Sequence, residues 1–142
     1  GAQMTAFLGA RVVADLGFHP ERAVRVNNQT PNILTVSGPL TREHPDLVGR
    51  YIKQLITAAK WGESHRGELV RIIANDVGAP EEWVETAYGP DFHLHMAPEL
   101  SEESIAAVEA QKDFLLRWNF IDQDFDVRTW VDAQPLELSQ AG

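Results

Sequence analysis

The sequence predicts an α/β chain, mostly helical and with two short strands, and three observations carry that prediction. Hydrophobic residues make up 44% and charged residues 23% of the 142 positions, which is globular composition rather than that of a disordered chain. Two short apolar, β-branched stretches lie early in the chain between glycine and proline breaks. From Pro45 onward the apolar residues recur at helical spacing, between residues suited to caps.

The first strand is expected at Arg11 to Ala14, between the breaks at Gly9 and Gly17. A polar loop follows from Phe18-His19-Pro20 to Asn27-Asn28-Gln29-Thr30-Pro31, and the second strand is expected at Asn32 to Ser37, ended by Gly38-Pro39. Pro45 and Asp46 suit the first turn of a helix whose stripe is Val48, Tyr51, Ile52, Leu55 and Ala59, running to Trp61. Leu69, Val70, Ile73 and Val77 form a second amphipathic stretch with Gly78 at its end, where a left-handed residue is favoured. Pro80 opens a short third helix carrying Trp83, Val84, Ala87 and Tyr88, and Gly89 stops it. Ser101 is placed to cap a fourth, with Glu102 and Glu103 in the turn where the dipole favours anions. Ile105, Val108 and Leu115 form its stripe, widened by Phe114 and Trp118. A last short element is expected from Val127 to Val131, before a polar tail from Gln134.

This length suffices for one domain with a real core and not for two. The net charge of -9 repels phosphate backbones, and no Lys/Arg run offsets it, so nucleic acid is excluded as the expected partner. The absence of cysteine removes disulfides, thiolate metal sites and a cysteine nucleophile together. No run approaches the roughly 18–20 apolar residues of a membrane span. The opening Gly1-Ala-Gln-Met-Thr-Ala-Phe-Leu8 lacks the basic region of a signal peptide, so the chain is expected to begin after processing or within something longer, and the second is favoured. Two strands alone are marginal in water, and each amphipathic helix needs a partner surface. The expectation is therefore the closing piece of an α/β fold begun upstream.

Four features from about Gly9 onward resemble the last two-fifths of the sulfonate, nitrate and taurine type of ABC-transporter solute-binding proteins. They are Asn32-Ile-Leu-Thr-Val-Ser37; Arg42-Glu-His-Pro-Asp-Leu-Val48 leading into the long helix; the pair of helical stretches Glu68–Val77 and Pro80–Tyr88; and the end, with Phe114-Leu-Leu, Asn119-Phe-Ile121 and Phe125-Asp-Val-Arg-Thr-Trp-Val-Asp132. Each alone is a packing pattern; their order is what resembles the family. The resemblance implies the C-terminal, mostly helical portion of a type II periplasmic-binding fold. Residues 1–31 would end the second lobe and cross between lobes, and 32–142 would form the helix-rich C-terminal part of the first. It also implies a periplasmic or cell-surface protein that closes over a small organic anion such as a sulfonate and works with an ABC permease. Apart from the resemblance, Val48, Ile52 and Leu55 with Ile105, Val108 and Leu115 are more apolar surface than two short strands can bury, so the remainder of the two-lobe protein or a second copy is the expected partner, and a free-standing helical module that self-associates is a further alternative. The hydroxybiphenyl sulfinate desulfinases, enzymes on the same fold, are similar at Gly89-Pro-Asp-Phe92, Ala97-Pro98 and Phe114-Leu-Leu116; under that reading the protein is cytoplasmic. Their nucleophilic cysteine belongs to the first lobe, so no catalytic residue carries over onto this chain.

In such a fold the inter-lobe strands line the cleft, which makes Asn27, Asn28, Thr30 and Asn32 the expected ligand-binding residues: neutral donors suit a sulfonate or carboxylate. As bare sequence the same residues make an ordinary polar loop. His93 and His95 flank Leu94 and would share one side of an extended segment, but no third ligand stands at a characteristic spacing, so neither a metal nor any other cofactor is expected. Asp91 with either histidine could form an acid–base pair, yet it lacks a nucleophile. Trp61, Trp83, Trp118 and Trp130 are read as core residues, and Glu99, Glu102 and Glu103 as a solvated helix start.

Overall fold

The structure, a computed structural model, describes residues 2–14, 19, 21 and 32–141. Its elements are the helices α1 (Ala2–Leu8), α2 (Gly38–Glu43), α3 (Pro45–Ser64), α4 (Arg66–Val77), α5 (Glu81–Tyr88), α6 (Glu102–Arg117), α7 (Val127–Trp130) and α8 (Gln134–Gln140), with a 3₁₀ turn at Phe92–Leu94.

Among the described residues there is no strand, and this corrects the α/β expectation with its two strands. Arg11 to Ala14 and Asn32 to Ser37 are irregular backbone. Ser37 has the dihedrals of an extended residue, φ -64 and ψ 138. A strand, however, is a pairing, and an apolar stretch becomes one only where a neighbour takes up its backbone donors and acceptors. Neither stretch has such a neighbour among the described residues. Ile33 and Leu34 are 49% and 47% exposed, so they do not form the buried face that fixes a register. Three helices had no place in the sequence reading: α1; α2, where Gly38-Pro39 begins a helix instead of only ending a strand, with proline in its first turn; and α8, within the tail read as polar.

The described chain falls into two compact units, the first built from 1–13 and 51–98 and the second from 14–50 and 99–142. The core of the first is Val70 and Ala74 of α4 with Val84 of α5, joined by the half-buried Ile73 and Phe92. Helix α1 also packs on α5. An ion pair of 2.6 Å between Arg66 and Glu85 ties α4 to α5 at the surface. The α3–α4 junction is close-packed at Gly62, where an added Cβ would lie 3.0 Å from Leu69 Cδ2. Gly78 takes φ 64, and the Ala79 N–H donates to the Ala74 carbonyl at 2.9 Å, closing α4 with a left-handed cap.

In the second unit Val48, Ala107, Val127, Pro135 and Ser139 are buried. The opening of α3 meets α8 at Gly49, where a Cβ would stand 3.0 Å from Leu138 Cβ and 3.2 Å from the Pro135 carbonyl oxygen. Helix α6 begins as its sequence predicts: the Ser101 hydroxyl accepts the Ser104 N–H at 3.2 Å. It ends on Asn119, whose φ of 57 is a left-handed conformation usually left to glycine. There the Phe120 N–H donates to Leu115 at 2.8 Å and the Asn119 N–H to Leu116 at 3.1 Å, which together form a Schellman cap.

Candidate functional site

Of the expected ligand-binding residues, Asn27, Asn28 and Thr30 lie outside the described residues, and Asn32 is exposed on irregular backbone. His93 and His95 do not lie on an extended segment but in and beside the 3₁₀ turn that Asp91 opens, where the Leu94 N–H donates to the Asp91 carbonyl at 3.0 Å. The His93 Nδ1 is buried and has no hydrogen-bond partner, and its ring meets Phe92 edge-on at 6.0 Å. Among the described residues no three His, Cys, Asp or Glu side chains come together to hold a metal ion.

The residues that do converge lie in the second unit, around an open cleft of about 570 Å³ lined by Glu109, Lys112, Asp113 and the stretch from Asp124 to Arg128. Asp126 nucleates α7: its carboxylate accepts the N–H groups of Arg128 at 2.8 Å and Thr129 at 3.1 Å. The cap aims Arg128 at α6, where its Nη1 and Nη2 donate to the two oxygens of Glu102 at 3.3 and 2.9 Å and its Nε pairs with Glu109 at 3.2 Å. Three residues beyond Glu109 on α6, Lys112 pairs with Asp124 at 2.7 Å and with Asp113 at 2.9 Å. Glu102, Glu109 and Lys112 stand seven and ten residues apart, which places all three on the α6 face that runs beside the returning segment.

These pairings set the protonation of the cleft. Hydrogen bonding and the charge of Arg128 hold the Glu102 carboxyl below the usual range. The hydrogen bond from Lys112 does the same for Asp124, and backbone donors led by Thr129 do so for Asp126. The Lys112 ammonium, held mainly by its bond to Asp124, is pushed up to about 12. Each of these groups keeps its charge at neutral pH, and none is poised to give or take a proton there. Both cations already have carboxylate partners. The arrangement is chemically a clasp that holds the α7 segment to α6 rather than a catalytic centre.

Beside the clasp are exposed aromatic rings. Phe114 stacks on Phe120 at 6.4 Å and 15° and meets Trp118 at 6.3 Å, and the Arg117 guanidinium lies 5.8 Å from the Trp118 ring centre. Phe125 and Trp130 meet edge to face at 5.8 Å. Trp118 is 59% and Trp130 50% exposed, so the reading of these two as core residues does not hold in the described structure.

The chain resembles characterised enzymes in sequence. It is 29% identical over 131 residues to the 2'-hydroxybiphenyl-2-sulfinate desulfinases of Rhodococcus erythropolis and Rhodococcus qingshengii, an alignment covering 92% of this chain and 34% of each relative. It thus spans about a third of the length of the curated relatives it matches. No protein-family model matches it, and no solved structure does. The match supports the desulfinase side of the resemblance.

Sequence reasoning missed the clasp. Glu102 is exposed, as a solvated helix start implies, but it also pairs with Arg128, 26 residues away, which the first-turn position does not announce. The available signal was the seven-residue spacing of Glu102 and Glu109 together with an Asp-x-Arg-Thr cap downstream.

Proposed function

We propose that this chain works as one part of a desulfinase-like protein that acts on an aromatic sulfinate, with the reacting nucleophile supplied from outside these residues. The observation that supports the reading is the alignment over 92% of the chain with enzymes named for 2'-hydroxybiphenyl-2-sulfinate. The absence of cysteine and the fully charged clasp agree with a role in holding the protein together rather than in the bond-breaking step. This reading makes the protein cytoplasmic. The alternative is the solute-binding component of an ABC importer, which holds a small organic anion without turnover and presents it to a permease; the anionic sulfur ligand is common to both.

One experiment separates them: a hybrid in which this chain replaces the matched third of the Rhodococcus erythropolis enzyme. Desulfinase activity toward 2'-hydroxybiphenyl-2-sulfinate, above that of the enzyme with the region deleted, is the expected result. A folded hybrid that binds the compound without turning it over favours the importer reading. One that does neither rejects both.

A further inference from the structure

We infer that the aromatic surface at the end of α6 is a docking face for another part of a longer polypeptide, the part that corresponds to the two-thirds of the desulfinases this chain does not match. The inference rests on the desulfinase-like reading for the identity of the occupant, and on geometry for the surface itself.

Three rings form the face, with Phe114 37%, Trp118 59% and Phe120 69% exposed. They are not loosely held. Phe114 belongs to α6, and the Trp118 N–H donates to the Phe114 carbonyl at 3.1 Å. The Schellman cap then fixes Phe120, at the cost of placing Asn119 in a left-handed conformation. A rigid, ordered cluster of large aromatic side chains, with an arginine over one of them, is the composition found at the centre of protein interfaces. The clasp cleft is lined by none of these three rings, so they do not line that concave space, and a contiguous exposed apolar surface of this kind suits a protein partner better than a small ligand.

Two facts choose among polypeptide partners. A second copy would bring a second charge of -9 against the first, and that repulsion opposes self-association. The relatives' length supplies the other: 34% of each is matched, and the remainder is the partner that such a surface would meet within one protein.

The test compares the double variant Trp118→Ser, Phe120→Ser with the parent, both in the free chain and in the desulfinase hybrid. Docking predicts that the free chain's melting temperature barely moves, because the rings are already in water, while the hybrid's falls by several degrees. A free chain with no transition of its own, beside a hybrid with one that the variant lowers, is the limiting case of the same result. Equal shifts in both backgrounds, or none in either, overturn the inference. Should the hybrid not fold, the unmatched two-thirds of the Rhodococcus erythropolis enzyme is titrated as a separate polypeptide into the free chain. Binding that the double variant weakens at least tenfold supports docking, and no association at micromolar concentration overturns it. The two ideas fail separately. An active hybrid indifferent to the variant removes the docking face and keeps the desulfinase reading; an inactive hybrid destabilised by it does the reverse.

Discussion

Arg128 is the residue on which the second unit's surface network turns, since it reaches two carboxylates of α6 while standing in a helix capped by Asp126. Replacing it with Gln removes the guanidinium hydrogen bonds and the charge that together depress Glu102, so the Glu102 carboxyl should return toward its ordinary range in an NMR titration. The sign of the linkage follows from the direction of that shift. A carboxylate whose folded pKa is depressed contributes stability at neutral pH and loses it as pH falls through the folded value. Lys112 works at the other end of the scale. Its contribution is present below its ordinary 10.5 and disappears as pH rises through about 12. Asp124→Asn should therefore flatten the alkaline edge of a stability–pH curve as well as part of the acid edge. Because the Glu102 and Asp124 carboxylates face water, added salt should shrink both effects, the alkaline one less because the Lys112 side chain is mostly covered.

At the level of elements, glycines separate two kinds of constraint. Gly78 adopts φ 64 with nothing within 4 Å of where a Cβ would stand, so Gly78→Ala meets only a conformational cost, about 1 kcal/mol, measurable by urea denaturation. Gly49 is the opposite case. Its added methyl would run against the Leu138 Cβ and the Pro135 carbonyl oxygen, and Gly49→Ala should cost about 1–3 kcal/mol, none of it recovered by Leu138→Ala, which keeps that Cβ. Val84, 2% exposed between α4 and α5, should lose about 2 kcal/mol as Ala, two buried carbons' worth plus a small cavity.

The same scale shows what could be read from sequence. Helices α3 to α6 lie where apolar spacing and caps put them, because Ser101, Gly78 and the Val70–Ala74 register act through neighbours within a turn or two. Asn32 to Ser37 failed as a strand because β structure depends on a partner that local composition does not supply. Of the expected site residues, only Asn32 lies within the described chain, exposed on irregular backbone. Conversely, Arg128 and Glu102 are unremarkable in sequence; only the return of the chain beside α6 makes them a pair.

For the molecule as a whole, large apolar side chains in both units face solvent, Phe7, Leu8 and Val13 in one and Phe120 and Trp118 in the other. The net charge of -9 opposes their association at neutral pH. Near the pI of 4.9 that opposition vanishes, and light scattering across pH should show a sharp rise there for the free chain. Trp118→Ser together with Phe120→Ser should lower the rise.

The meeting of Gly49 with Leu138 also bears on how the chain acquires its structure. Those two positions are roughly ninety residues apart, and closing so long a loop is slow because its entropy is lost before any contact compensates it. The α4–α5 pair closes over a short connection and needs no distant segment. On a ribosome the first unit's helical pair can therefore form while the second unit is still waiting. Gly49, which lies against Leu138 and Pro135, stays uncovered until the α8 residues emerge and the start of α3 receives them.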